Sequence, residues 1–429
     1  MGLLLECLAM ALSFQIAASA ATTPPSSSLS SSWKPRLSPV ILVPGAGGNQ
    51  LEVKLGGDYH GSRFVCRTFG FSHWFRLWLN VLGIIPPFTP CFAERIRLEY
   101  NGGSKTFHNP PGITTRVPGF GSTETMEYLD PTFKFLSGYM NSLVAALKAK
   151  GYESQKTLFG APYDFRYAPG PNAAEVALQF LHDLKNLVEK ASRSNKNTPV
   201  TLISHSLGGL WVLHFLNLQS STWKKRFIHR FIAVSAPWGG SVQEMRVFAS
   251  GYTEGANFLD PLVLRDEQRS SESNLWLLPS PKVFGNKTLV VGSSRNYTAM
   301  DLEDFFRDIG YSRGYEHYET RVPGLLEELA APGVPVSLVF GVGVDTPETL
   351  VYEKQGFDYQ PKMEYGDGDG TINLCSLRWV VDSWKKVGDQ QVKVVELQGK
   401  THTTVLKDED AVEEIVKQLG DVEGQNLSS

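Results

Sequence analysis

A chain of 429 residues, 42% apolar and 20% charged, has material for a large buried core and is too apolar for intrinsic disorder. Its formal net charge of −3 supplies no basic surface, which argues against a nucleic-acid partner. Length alone would allow two domains, but α/β folds of this size also form one.

Residues 1–20, MGLLLECLAMALSFQIAASA, carry an apolar run broken by Glu6 and end in Ala18-Ser19-Ala20, a small-residue cleavage pattern. The run falls short of the ~20 clean apolar residues that a membrane span needs. A secretory signal peptide is expected. The alternative is an uncleaved single-pass anchor, since no Lys or Arg precedes the run. Residues 21–38 are rich in Ser, Thr and Pro and read as a disordered linker, as do 421–429 for a tail. One globular domain is expected over 39–420.

Val40–Val43 reads as a buried strand running into the glycine-rich loop Pro44-Gly45-Ala46-Gly47-Gly48-Asn49. The loop fits neither G-x-G-x-x-G nor G-x-x-x-x-G-K, so no nucleotide fingerprint is present. From Cys66 to Cys91 the chain is rich in Phe, Trp, Leu and Ile, including Trp74, Phe75, Trp78 and Leu79, and has no acidic residue. It reads either as a core hairpin or helix or as an apolar excursion that dips into a lipid surface, where indoles suit the interface. Of four cysteines, Cys7 lies in the leader. Cys66, Cys91 and Cys375 leave either one pair and a free thiol or no pair at all. If oxidised, Cys66 and Cys91 would close a loop worth roughly 3–4 kcal/mol on the chain-entropy model.

Met140, Leu143, Val144 and Leu147 share one helical face, which predicts a core-packed helix over 140–150 ended by Gly151. Asp164 and Arg166 in Gly-Ala-Pro-Tyr-Asp-Phe-Arg read as a structural pair or as part of a site mouth. Ala177, Leu181, Leu184 and Val188 predict an amphipathic helix over 172–192. Val200–Ile203 then reads as a buried strand and Leu210–Leu218 as a buried helix. Phe231–Val234 is the next strand, so helix and strand alternate as in a parallel sheet covered on both faces. Residues 241–310 break the rhythm and are expected to form an inserted cap or lid. Asn286, Asn296 and Asn426 begin glycosylation sequons, which fit a secretory route. Strands are predicted at 334–344 and 392–397, and a closing helix at 410–419.

Between the strand at 200 and the following helix lies Ser204-His205-Ser206-Leu207-Gly208-Gly209. A serine at the apex of a sharp strand-to-helix turn, with small residues two before and two after, is what the nucleophile elbow of an α/β-hydrolase requires. Such a serine needs a histidine to take its proton and an acid to hold that histidine, in the chain order Ser, acid, His. Of nine histidines, His214, His229, His317 and His402 follow Ser206. Only His402, in the loop after the last strand, leaves room for an acid between; His205 and His214 read as packed residues. The acid stays open between Asp345 and Asp369 on this reasoning. Backbone N–H groups of Ala46 and Leu207 are the candidate oxyanion donors. The Asp367-Gly368-Asp369 run lacks the later carboxylates of an EF-hand loop, so no metal or other cofactor is expected.

The segments PVILVPGAGGNQLEVKL, CFAERIRLEYN, RVPGFGSTETMEYLDP, GAPYDFRYAP, SHSLGG, SAPWGG, FFRDIGY and YGDGDGTINL, in that order, resemble the lecithin:cholesterol acyltransferase family over Pro39 to Leu419. The resemblance implies an α/β-hydrolase core with a membrane-binding excursion and a lid. It implies Ser206, Asp369 and His402 as the catalytic set, and a disulfide between Cys66 and Cys91 closing a membrane-binding loop. The implied reaction takes a fatty acyl group from a phospholipid through a serine acyl-enzyme to water or a lipid alcohol. Its partners would be a phospholipid membrane and a lipid acyl acceptor, in an extracellular or vacuolar/lysosomal lumen. An inactive lipid-binding relative and a soluble carboxylesterase are the alternatives. Two departures stand out: Ser204 where many relatives have Gly or Ala, and Cys375 alone in the C-terminal half, where some relatives have a second disulfide.

Overall fold

The computed structural model describes residues 37–67, 73–253, 256, 259–327, 329–353 and 356–420. The expected leader, most of the linker, the tail and the Asn426 sequon lie outside the described residues. Ser38, which composition assigned to the linker, is buried; its hydroxyl donates to the Pro199 carbonyl at 2.6 Å.

Six strands form the central sheet: β1 (Val40–Val43), β2 (Leu158–Gly160), β3 (Val200–His205), β4 (Ile228–Val234), β5 (Val336–Val342) and β6 (Val392–Gln398). Their order is β6-β5-β4-β3-β1-β2, and every pairing is parallel. Parallel strands must be covered on both faces, which is why β1 is an unbroken apolar run and every residue of β1 and β3, and most of β4, is buried.

Successive side chains on a strand point to opposite faces, and the core divides accordingly. Leu202 and Phe231 pack with Leu184 and Val188 of helix α2 (Glu175–Ser194) and with Leu210 and Leu213 of α3 (Leu207–Asn217). Ile203, Ile232 and Val339 face the other way, onto Leu143, Val144 and Leu147 of α1 (Asn141–Ala149) and Val412, Ile415 and Val416 of α4 (Glu409–Lys417). The helical stripes predicted from spacing are the faces that are buried.

Two additions leave this core. Leu51–Leu55 lies between Phe75–Trp78 and Ile113–Arg116 in a three-stranded antiparallel sheet. The helix Thr89–Ile96 packs beside it, and Cys66 and Cys91 are joined by a disulfide. The apolar stretch thus contributes one strand, Phe75–Trp78, to this sheet, with Leu77 buried. In residues 241–310, where sequence periodicity was poor, the chain forms short helices at Val242–Ser250, Pro261–Ser270, Glu272–Trp276 and Leu302–Asp308. Its strands Val290–Val291 and Asn296–Tyr297 join Thr346–Val351 and Lys362–Gly366 in a four-stranded sheet. Asn286 and Asn296 are both exposed. Among the described residues, no helix is long and apolar enough to cross a membrane.

Candidate active site

Ser206 sits where β3 turns into α3, at φ 53° and ψ −129°. A non-glycine residue rarely adopts this conformation, which costs about 1–3 kcal/mol and persists only where the surroundings impose it. Here the Ser206 N–H donates to the Val234 carbonyl at 2.9 Å, and its carbonyl accepts from the Gly209 N–H at 2.8 Å. The small residues around it are dictated by contact. A Cβ on Gly208 would lie 2.3 Å from the Pro44 carbonyl oxygen, and one on Gly209 would lie 2.5 Å from the Ala236 Cβ. Ser204 fits, but it is fully buried and its hydroxyl has no hydrogen-bond partner among the described residues.

His402 lies in the loop after β6. Its Nε2 is 2.9 Å from the Ser206 hydroxyl oxygen, and its Nδ1 is 2.7 Å from Asp369 Oδ2. The His402 N–H also donates to the Asp369 carbonyl at 2.7 Å. Bare Cα atoms permit this convergence: a Cβ on Gly341, near the end of β5, would lie 1.8 Å from the Lys400 carbonyl oxygen. The other Asp369 oxygen accepts from the N–H groups of Ile372 at 2.8 Å and Thr371 at 3.1 Å. Burial by itself would push the Asp369 carboxyl up. The charge and hydrogen bond of His402, together with those two N–H donors, overcome it and hold the group below the usual carboxylate range. A buried, ionised Asp369 can therefore orient His402 and balance an imidazolium.

Asp345, the other acid that chain order allowed, is exposed. The hairpin Thr346–Val351/Lys362–Gly366 returns the chain so that Asp369 bridges to Val344, and Asp369 rather than Asp345 meets His402. Asp367 accepts from the Gly343 N–H at 2.6 Å. Among the described residues, no group of His, Cys, Asp or Glu could hold a metal ion.

The glycine-rich loop abuts the serine: a Cβ on Gly45 would lie 2.8 Å from the Ser206 Cβ. Neither the Ala46 N–H nor the Leu207 N–H donates to another protein group among the described residues. Leu207 opens α3, where helix dipoles add positive potential. The pair can receive an oxyanion formed beside Ser206.

The four aromatic and aliphatic residues expected at a lipid surface are half-buried. Trp74 lies under the Arg116 guanidinium at 4.4 Å, and the Arg95 guanidinium stands 5.6 Å from the Phe75 ring. Trp78 turns inward, its indole N–H donating to the Gly47 carbonyl at 2.6 Å. Among the described residues of this region, Phe64, at 80%, and Leu82, at 53%, are exposed large apolar side chains. Asp164 and Arg166 form a buried two-pronged pair whose guanidinium also donates to the Ile96 carbonyl and the Thr115 hydroxyl. Cys375 is a free, exposed thiol.

Sequence reasoning passed over Tyr139 and set His205 aside as a packed residue. His205 is packed, at 3% exposure, and it also hydrogen-bonds to the Tyr139 hydroxyl and to the His402 carbonyl. A histidine directly before the elbow serine was the available signal.

The family profile described as lecithin:cholesterol acyltransferase matches residues 74–320 and 315–415. A protein of Arabidopsis thaliana, lecithin-cholesterol acyltransferase-like 1, is 50% identical over 393 residues, covering 89% of each chain. The lysosomal phospholipase A and acyltransferase of Mus musculus is 38% identical over 369 residues, covering 86% of this chain and 87% of its own. Among solved structures, a chain of the Tle4-Tli4 complex superposes with a TM-score of 0.50 at 12% identity, covering 90% of this chain and 98% of that one. That last likeness concerns the fold alone. The chain belongs to the lecithin:cholesterol acyltransferase family.

Proposed function

We propose that this chain is a serine-dependent lipid acyl-ester enzyme. It takes a fatty acyl group from a phospholipid and passes it to a lipid alcohol or to water. The observation that carries the reading is His402 spanning Ser206 and Asp369 at 2.9 and 2.7 Å. Relatives named as acyltransferases and as a phospholipase A support the substrate class.

The residues suggest the following course. The Ser206 hydroxyl oxygen attacks the ester carbonyl while His402 takes the hydroxyl proton. Negative charge on the former carbonyl oxygen faces the Ala46 and Leu207 N–H groups. When the carbon–oxygen bond to the glycerol breaks, His402 returns the proton to the departing lysophospholipid. An acyl ester remains on Ser206. Water or a lipid alcohol then attacks it, giving its proton to His402; as the bond to the Ser206 oxygen breaks, His402 passes that proton to Ser206, and free fatty acid or an acylated acceptor leaves. Asp369 stays ionised throughout and holds the imidazole.

The disulfide-closed excursion at 66–91 serves on this reading as the lipid contact; among the described residues it carries the half-buried Trp74, Phe75 and Leu79 and the exposed Leu82, with the exposed Phe64 just before it. Residues 241–310 act as the cap that shapes the acceptor side. The disulfide and the exposed sequons at Asn286 and Asn296 support a secretory-pathway lumen.

The test is incubation of the chain and of Ser206→Ala with labelled phosphatidylcholine liposomes, with and without sterol. Free fatty acid is then separated from acylated acceptor. Loss of both products in Ser206→Ala is expected. Unchanged acyl release by that variant would sink the assignment, and release confined to soluble short-chain esters would make the protein a carboxylesterase instead.

A further inference from the structure

His402 has four polar groups, and each one is engaged. Nε2 meets Ser206, while Nδ1 and the backbone N–H meet Asp369. The fourth, the backbone carbonyl, is 2.8 Å from His205 Nε2. A carbonyl only accepts, so His205 Nε2 carries a proton and donates it. In the neutral ring Nδ1 is then an acceptor, and the group it meets, at 2.7 Å, is the Tyr139 hydroxyl. Tyr139 must therefore donate to His205. The same Tyr139 oxygen accepts from the Gly45 N–H at 2.9 Å. The directions of the three bonds follow from three facts: the carbonyl only accepts, the ring is neutral and the Gly45 N–H only donates.

Both side chains are kept in the protonation states that this requires. Burial foremost, then the charge of His402, lowers the His205 imidazole to about 3, so the ring is neutral at any working pH. Burial pushes the Tyr139 phenol well up, so it keeps its proton. The loop at the far end is seated on the Tyr139 ring, since a Cβ on Gly48 would lie 2.7 Å from it.

We infer that His205 and Tyr139 are positioning residues that tie the glycine-rich loop carrying Ala46 to the backbone of His402, so that oxyanion donor and base are held in one register around Ser206. The inference rests on the reading of Ser206, Asp369 and His402 as the reacting set. The serine elbow lies between the two things being aligned, and His205 is its immediate neighbour in the chain. One strand end therefore fixes the nucleophile through Ser206 and the relation of its two helpers through His205. Loss of either link lets the base loop or the oxyanion loop drift, and a drift of about 1 Å at a reacting centre costs about 100-fold in rate.

Three substitutions dissect the chain. Tyr139→Phe deletes one oxygen and both bonds it makes. His205→Gln keeps a donor where Nε2 stands and loses the acceptor for Tyr139. His205→Asn keeps the acceptor and loses the donor to the His402 carbonyl. Cutting the link, through two hydrogen bonds in Tyr139→Phe and one in His205→Asn, predicts a fall in kcat of at least about tenfold for each. KM should stay within about twofold, because substrate contacts are untouched. The double variant Tyr139→Phe/His205→Gln should be no slower than Tyr139→Phe, since both changes cut the same link. Inactivation by an organophosphonate, which needs the nucleophile and the oxyanion donors but no lipid, should slow in parallel with kcat.

Turnover within about twofold of the parent in either Tyr139→Phe or His205→Asn overturns the inference, as do losses that multiply in the double variant. If His205→Asn does not fold, Tyr139→Phe, isosteric but for one oxygen, decides alone. Ser206→Ala separates this inference from the reading beneath it. Activity surviving in Ser206→Ala defeats both. An inactive Ser206→Ala beside fully active Tyr139→Phe defeats only the positioning role.

Discussion

The indole N–H of Trp78 donates to the carbonyl oxygen of Gly47 at 2.6 Å, joining the disulfide-closed excursion to the glycine-rich loop. Gly47 has a φ of +63°, and a Cβ there would lie 3.1 Å from the Trp78 ring, so loop and indole are fitted to each other. The ring also packs against Phe92 and Phe165, each with centroids 6.0 Å away. Trp78 is thereby placed to brace the backbone beside Ala46 from outside the core. Trp78→Phe keeps an aromatic ring and loses the donor. Turnover of a soluble short-chain ester should fall about tenfold, the effect of one hydrogen bond. Binding to phosphatidylcholine vesicles, measured by co-sedimentation, should change little. The opposite pattern, with full activity on the soluble ester and lost vesicle binding, would make Trp78 a lipid contact.

Ser204 offers a gain rather than a loss. Its buried hydroxyl has no partner among the described residues, and an unmade buried hydrogen bond costs about 1–3 kcal/mol. Ser204→Ala removes the polar atom and leaves the small Cβ at a fully buried strand position in register with Ala233. The variant should be about 1 kcal/mol more stable in urea unfolding, with kcat unchanged, because the oxygen touches nothing that reacts. Destabilisation would mean that the hydroxyl has a partner in solution, such as a bound water.

Asp369 and Asp345 are both within reach by chain order, and their consequences should differ by orders of magnitude. Asp369→Asn leaves the shape of the site but withdraws the charge and reverses the hydrogen-bonding demand on His402 Nδ1. A loss in kcat of about 10⁴-fold is expected, as for the acid of any serine–histidine–acid set. Asp345→Asn, on an exposed side chain, should leave kcat within about twofold. Comparable losses in both variants would reopen the choice.

The two acids also mark where sequence reasoning stops. The sheet was legible because β1, β3, β4 and β5 each contain a β-branched or apolar stretch, and the helices were legible because α1, α2 and α4 repeat their apolar residues on one face. His402 was legible because chain order excluded every other histidine. The acid was not, since a hairpin of two strands decides which aspartate returns to Val344, and no local pattern encodes where a hairpin folds back. The direction of Trp78 was equally hidden. An indole in an apolar stretch suits a lipid surface and a buried carbonyl alike, and only the tertiary neighbour at Gly47 distinguishes them. His205 was judged correctly as packed, but its bonds depend on Tyr139 and His402, which lie 66 and 197 residues away in sequence.

The neutrality of His205 has a cost in acid. In the unfolded chain its imidazole titrates near 6.5, while in the folded protein burial and the nearby His402 hold it at about 3, opposed first by the hydrogen bond to the His402 carbonyl and then by Asp369. The uncharged Tyr139 phenol faces its other nitrogen. Between these two values the unfolded state binds the extra proton, so stability rises with pH. The contribution is complete above about pH 6.5 and is lost steadily as pH falls toward 3, by up to about 1.4 kcal/mol per unit. His317, lowered to about 4 first by burial and then by Arg313, adds a loss of the same sign. Urea unfolding at pH 6.5 and pH 4.5 should therefore show the folded state weakened by about 2–3 kcal/mol through His205 alone. In His205→Gln, which cannot titrate, that part of the loss should vanish while the His317 part remains. An equal fall in stability in parent and variant would mean that His205 takes up no proton on unfolding, and that its ring is already charged inside the fold.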